Sequence, residues 1–237
     1  MLLAVLDEAR LKKFSKYKVL NGIKTLLVIA VSYKPAQNIY ESALLLERDY
    51  HERVSQILRA IADPRPRFYL QVDAGIIKER ELAQEAGLGF IGKNYTLISK
   101  ELGSFFNIGI LGLYENLNGD ILNFNQNACP DNCRLCIDAC PSGALETKDF
   151  RRCSSHISQK RRLEKNDLFY LHTIYGCEIC QQVCPFNKKF LGKISKEFPD
   201  KWTKTKDFWL KEKAAAWRGA KIIRRNAAII KKRLRNL

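Results

Sequence analysis

Apolar and polar positions fall into two regimes along the chain. Residues 1–20 mix apolar and basic positions at helical spacing and close at Asn21-Gly22, which predicts a helix and its C-terminal cap. Residues 25–31, Thr-Leu-Leu-Val-Ile-Ala-Val, are an unbroken β-rich apolar run that stops at Tyr33-Lys34-Pro35 and predicts a buried strand. In residues 39–62 the positions Leu44, Leu45, Tyr50, Val54, Ile57, Leu58 and Ile61 recur with a helical period, and Asp63-Pro64-Arg65-Pro66 ends that helix. Residues 67–72 predict a second strand, residues 76–86 a second helix stopped by Gly87, and residues 95–99 and 105–114 a further pair of strands. Strands alternating with helices give an α+β fold that opens with an α/β domain over residues 1–117.

The second regime is loop-rich and lacks long apolar runs. Residues 118–190 read as a small cluster-binding module, and residues 191–237 as a basic helical tail in which Ala214-Ala-Ala-Trp217 and Ala227-Ala-Ile-Ile230 alternate with basic residues.

Composition narrows the function classes. Hydrophobic residues make up 46% and charged residues 28% of the 237, which disfavours both disorder and a membrane protein. The run around residues 26–31 is too short to span a bilayer, and the start lacks a basic n-region and a small-residue cleavage site, so a cytoplasmic location without a membrane partner is expected; a monomer is expected as well. Basic residues number 41 against 25 acidic, a net charge of +16, and residues 193–237 alone hold 15 basic against 4 acidic. This excess, interleaved with Trp202, Trp209 and Trp217, points to an RNA partner.

All eight cysteines lie between Cys129 and Cys184. Cys133-x2-Cys136-x3-Cys140-Pro141 is matched by Cys177-x2-Cys180-x3-Cys184-Pro185, with Cys129 upstream and Cys153 between. Thiolates suit the iron of Fe-S clusters, and a run ending in Cys-Pro commonly sends its last thiolate to the other cluster of a pair. Two 4Fe-4S clusters follow, one on Cys129, Cys133, Cys136 and Cys184, the other on Cys140, Cys153, Cys177 and Cys180. Two structural zinc sites are the competing reading. They need neither a third Cys beyond each hook nor the repeated Cys-Pro.

The ordered set Asp73-Ala-Gly-Ile-Ile-Lys-Glu79-Arg80-x3-Gln84-x-Ala86-Gly87-Leu-Gly-Phe-Ile-Gly92-Lys93-Asn94, Gly103-Ser-Phe-Phe, the eight Cys, Tyr175-Gly176-Cys177 and Arg224-Arg-Asn226-Ala-Ala228 resembles the epoxyqueuosine reductase family. The resemblance implies a cobalamin-dependent, two-cluster oxidoreductase that reduces the epoxide of epoxyqueuosine to queuosine in the wobble nucleoside of tRNA. Its electrons would come from an external donor such as a flavodoxin or ferredoxin system. It also implies a role for Asp73 as general acid, for Lys93, Asn94 and Leu97 at the cobalamin site, where small residues let the backbone approach the corrin, and for Arg224, Arg225 and Asn226 at the tRNA. The residues alone would make Asp73 a helix N-cap. Members of that family carry a longer N-terminal segment and a helical-repeat extension, so an open sheet edge is expected here.

Asp49-Tyr50-His51 departs from the Asp-x-His-x-x-Gly pattern of histidine-ligated cobalt proteins, because Val54 stands in place of the glycine. His51 is therefore expected to be a partly buried helix residue, and His156 and His172 have no ligand spacing. The rival functions are an electron carrier on the same scaffold and an RNA-binding structural protein with zinc sites.

Overall fold

The computed structural model describes residues 1–117 and 128–236. They form two compact units, one of Met1–Tyr33 with Tyr50–Pro130, the other of Lys34–Asp49 with the chain from Asp131.

The first unit is built on strands β1 (Leu2–Leu6), β2 (Thr25–Ser32), β3 (Phe68–Gln71), β4 (Phe90–Ile91), β5 (Leu97–Ile98) and β6 (Phe106–Leu113). A four-stranded sheet runs in the order β1-β2-β6-β3 with every neighbouring pair antiparallel, and β4 and β5 form a separate hairpin. The register pairs Ala4 with Val28, Val28 with Ile110, and Leu70 with Leu111. Successive residues of a strand face opposite sides of a sheet. Leu26, Val28 and Ala30 accordingly join one core with Leu82 and Ala83 of the Glu79–Glu85 helix. Leu27, Ile29 and Val31 join another with Val54, Leu58 and Ala62 of the Tyr50–Ala62 helix. Two covered faces explain why β2 reads as one unbroken apolar run, in an antiparallel sheet.

Several expectations change. Leu2–Leu6 is a strand rather than part of a helix, and it pairs with β2 as an outermost strand of the sheet. The helix over residues 39–62 is two: Ala43–Leu46 stops where Glu47 turns extended, and a second begins at Tyr50. Between them the Asp49 N–H donates to the Glu212 carbonyl. The glycine-rich run is the β4–β5 hairpin, and a side-chain carbon at Gly89 would stand 2.2 Å from the Ile98 carbonyl oxygen. Glycine there serves a close approach of the two strands, with no corrin required.

The second unit has helices of four or five residues around its cysteines and one long helix, Ala220–Arg235. Its core gathers Leu45, Ile157, Leu171, Ile174 and Tyr175 with Trp202, Leu210, Ile223, Ala227 and Ile230. The basic tail therefore packs within the same unit as the cysteine module and is not a separate domain. Asn226 shows how tightly. It is 0% exposed, and its amide donates to the carbonyls of Ser158 at 2.7 Å and Ile174 at 2.8 Å. Arg225 is half-buried and donates to the carbonyls of Arg161 and Lys160. Asn226 cannot reach a phosphate, which corrects the expectation of RNA contact there, while Arg225 is partly exposed with its guanidinium turned to these carbonyls. Arg224 is exposed, with one nitrogen donating to the Thr205 carbonyl.

Two substitutions test this packing. A side-chain carbon at Gly109 of β6 would meet Val54 Cγ1 at 2.6 Å and Leu58 Cδ1 at 3.0 Å, so Gly109→Val is expected to cost about 1–3 kcal/mol by overpacking, read as a lower denaturant midpoint. Asn226→Ala strands two buried carbonyls and is expected to cost about 1–3 kcal/mol while leaving RNA affinity unchanged.

Candidate active site and cysteine centre

Asp73 follows β3 in the left-handed region, with φ 58°, a conformation uncommon outside glycine. The next helix begins at Glu79 and its cap position is Lys78, so Asp73 caps nothing. Its side chain is 64% exposed, and Oδ2 accepts a 2.7 Å hydrogen bond from the Tyr50 hydroxyl. His51 Nε2 lies 3.5 Å from the same oxygen. Tyr50 and His51 open the Tyr50–Ala62 helix, and their rings stack with centroids 4.1 Å apart.

Below Asp73 the loop is braced by polar groups. Gln71 donates to the Ile77 carbonyl and to Glu79 Oε1 at 3.2 Å, while its own oxygen accepts from the Ile77 N–H and the Tyr69 hydroxyl. The Asp73 backbone N–H also bonds the Glu79 carboxylate. Burial pushes the Glu79 carboxyl above the usual carboxylate range, and these hydrogen bonds pull only partly the other way. Asp73, Ile77, Lys78, Glu79, Arg80 and Tyr95 line a cavity of about 400 Å³. Such a cavity can seat a polar ligand beside a carboxyl group.

The expected cobalamin residues sit on the β4–β5 hairpin. Asn94 is buried, its Oδ1 accepts from the Thr96 N–H and hydroxyl, and its Nδ2 has no hydrogen-bond partner. An orphaned buried amide nitrogen fits contact with a bound polar group. The Lys93 N–H donates to Cys129 Sγ at 3.4 Å and its amine to the Pro130 carbonyl at 3.0 Å. Leu97 is a core residue packed in the first unit, and its burial needs no cofactor.

In the second unit the two cysteine runs adopt the same turn. Arg134 and Glu178 have nearly identical backbone angles, each starts a four-residue helix holding the middle Cys, and Cys140 and Cys184 close onto the carbonyls of Ile137 and Gln181. The two helices pack on each other. All eight cysteines are free thiols. Burial pushes the Cys177 thiol up to about 12, with Cys153 and Cys140 adding to the cost of a negative charge. Burial likewise pushes Cys180 well up, helped by Cys177, Cys153, Cys140 and Cys136. These thiols feel one another, yet among the described residues no three His, Cys, Asp or Glu side chains converge on one point as ligands of a lone ion do. A buried cationic cluster offsets the charge that burial disfavours, so the donor set fits iron and sulfide.

Sequence reasoning missed Tyr50 and His51. His51 is the partly buried helix residue it was expected to be, and it lies against Asp73. Asp49-Tyr50-His51 was the available signal, weighed against a cobalt pattern instead of a carboxylate partner.

Comparison with known proteins agrees with this geometry. Residues 128–187 match the family model for a 4Fe-4S double cluster binding domain. An epoxyqueuosine reductase from Gloeobacter violaceus is 33% identical over 189 residues, 72% of this chain and 58% of that protein, so the chain spans less than two thirds of this relative. The epoxyqueuosine reductase from Streptococcus thermophilus superposes with a TM-score of 0.73 at 26% identity, over 98% of this chain and 77% of the other. Another, solved with an epoxyqueuosine-modified tRNA-Tyr stem loop, matches in fold with a TM-score of 0.69 at 21% identity, over 97% and 76%. In sequence and in fold, the chain is a relative of the epoxyqueuosine reductase family.

Proposed function

We propose that the chain removes the epoxide oxygen of epoxyqueuosine in tRNA, giving queuosine and water at a cost of two electrons and two protons. The observation that carries this reading is Asp73, a hydrogen-bonded carboxyl on a braced loop that lines a cavity, in a chain that also matches a double-cluster domain. A bare electron carrier has no use for such a carboxyl.

Each group then has a part. The two cysteine sets, Cys129, Cys133, Cys136 with Cys184 and Cys140, Cys153, Cys177 with Cys180, hold two clusters fed by an external donor such as a flavodoxin or ferredoxin. Asn94, whose buried amide nitrogen lacks a partner, and Lys93 on the same turn would hold cobalamin, which when bound would supply a strongly reducing cobalt centre. Asp73 donates a proton to the oxygen that leaves the substrate, where negative charge builds. The Tyr50 hydroxyl fixes the carboxyl, and Gln71 and Glu79 hold the loop.

The tail supplies the RNA surface through its exposed cations, Lys221, Arg224, Lys232 and Arg235. Exposed Trp217, under the Arg218 guanidinium at 3.6 Å, and exposed Phe208 offer faces for base stacking. The relative solved with a tRNA stem loop supports the partner class.

Anaerobic reconstitution followed by single-turnover assay tests the whole reading. The protein is expected to bind about eight iron and eight sulfide. Asp73→Asn is expected to keep its iron, its tRNA affinity and its Tm while epoxide reduction falls about 10²–10⁴-fold. Stoichiometric zinc without sulfide would overturn the cluster assignment, and undiminished turnover in the Asn variant would overturn the acid.

A further inference from the structure

A carboxyl that gives up its proton in a reaction ends that turnover as a carboxylate and must be recharged before the next. What stands beside Asp73 is built for that task. His51 Nε2 is 3.5 Å from Oδ2, a gap that a small ring rotation closes, and catalytic hydrogen bonds that are long without substrate often tighten when it binds. The imidazole is 42% exposed, so it is within reach of solvent protons. Imidazole is the side chain that gives and takes protons near neutral pH. The Tyr50 phenol bonds the same carboxylate oxygen and stacks on the imidazole, fixing both partners at once.

The other charged groups nearby do not serve. Glu79 faces both Asp73 and His51, but it accepts from the Asp73 backbone N–H and so acts on the loop. Lys78 pairs with Glu81, and Arg80 donates to the Tyr95 carbonyl at the cavity wall. Asp73 itself holds a left-handed backbone conformation, uncommon outside glycine, and its carboxyl stands against these two rings.

We propose that His51 is the proton carrier that recharges Asp73 and that Tyr50 positions the carboxylate for the transfer. The proposal rests on Asp73 being the acid of the reaction. The Asp73 O–H bond breaks as its proton goes to the departing oxygen. The His51 Nε2–H bond then breaks and an O–H bond forms on Oδ2. The neutral imidazole takes a proton from water, and no electrons move in these steps. His51 and Tyr50 are positioning residues, since they act through Asp73.

The test uses the full chain, reconstituted, with His51→Gln, Tyr50→Phe and Asp73→Asn compared. His51→Gln is expected to lower steady-state turnover about 10²-fold, the low end for a lost proton-transfer group, to flatten the pH–rate profile near neutrality, and to recover rate when imidazole is added to the buffer. Tyr50→Phe is expected to be slower with the shape of the pH profile kept. Independently of turnover, the His51 ring resonances of the reconstituted protein are expected to move in Asp73→Asn. If Asp73→Asn is inactive while His51→Gln keeps the parent pH profile and ignores imidazole, the relay is overturned and the acid stands. If Asp73→Asn turns over fully, the acid falls, and the relay with it. Unmoved His51 resonances overturn the contact itself, even where His51→Gln fails to fold.

Discussion

Backbone N–H and C=O groups removed from water need partners, and a segment of short helices and loops cannot supply its own. The second unit depends on meeting that demand with side chains. Glu178 accepts from the N–H groups of Ala36 and Ala43 at 3.0 and 2.7 Å, Asn226 serves the carbonyls of Ser158 and Ile174, and Asn187 donates to the Gln181 carbonyl. Arg225 and Arg233 do the same for four further carbonyls. All but the Asn187 bond join stretches more than fifty residues apart in the chain. Segment Lys34–Asp49 and the terminal helix are thus structural members of the cysteine unit. A motif that looks like an RNA-binding cluster is consumed largely by its own fold.

The same burial sets the chemistry of the thiols. Cys177 and Cys180 sit where a thiolate is costly, and Glu178 between them is itself pushed up to about 7 by burial. A metal that binds only deprotonated thiolates then couples its own binding to folding, because the pocket that makes the thiolates costly exists only in the folded chain. Repetition of one turn at Arg134 and Glu178 builds two equivalent thiol arrays from one local rule.

Much of this was legible in the sequence, for reasons that differ by element. Strands β2, β3 and β6 were legible, and so was helical character over Tyr50–Ala62 though not the break before it, because periodicity and length are local. The cysteine spacing was legible because cluster ligation leaves a spacing rule in the chain. Leu2–Leu6 was not, since five apolar residues before a charged stretch satisfy a helix pattern equally well, and only pairing with Thr25–Ser32 decides. Burial of Asn226 was hidden for a related reason. Helix Ala220–Arg235 shows a basic face and an apolar face, and whether an asparagine between them points inward is settled by carbonyls 52 and 68 residues away.

The Asp73 site was half legible, and its missing half shows what pattern reading cannot supply. A motif could mark Asp73, because strand, turn and helix follow one another in sequence. Its partners come from a helix that ends before β3 begins, and they arrive only because that helix lies flat on the sheet. Gly109 permits the approach: a side chain there would collide with Val54 and Leu58, one and two turns along from Tyr50. The close packing of a helix against a glycine in β6 is therefore upstream of the chemistry. It sets the depth of the helix, the depth sets where Tyr50 and His51 stand, and their rings meet a carboxyl that its own left-handed turn presents to them.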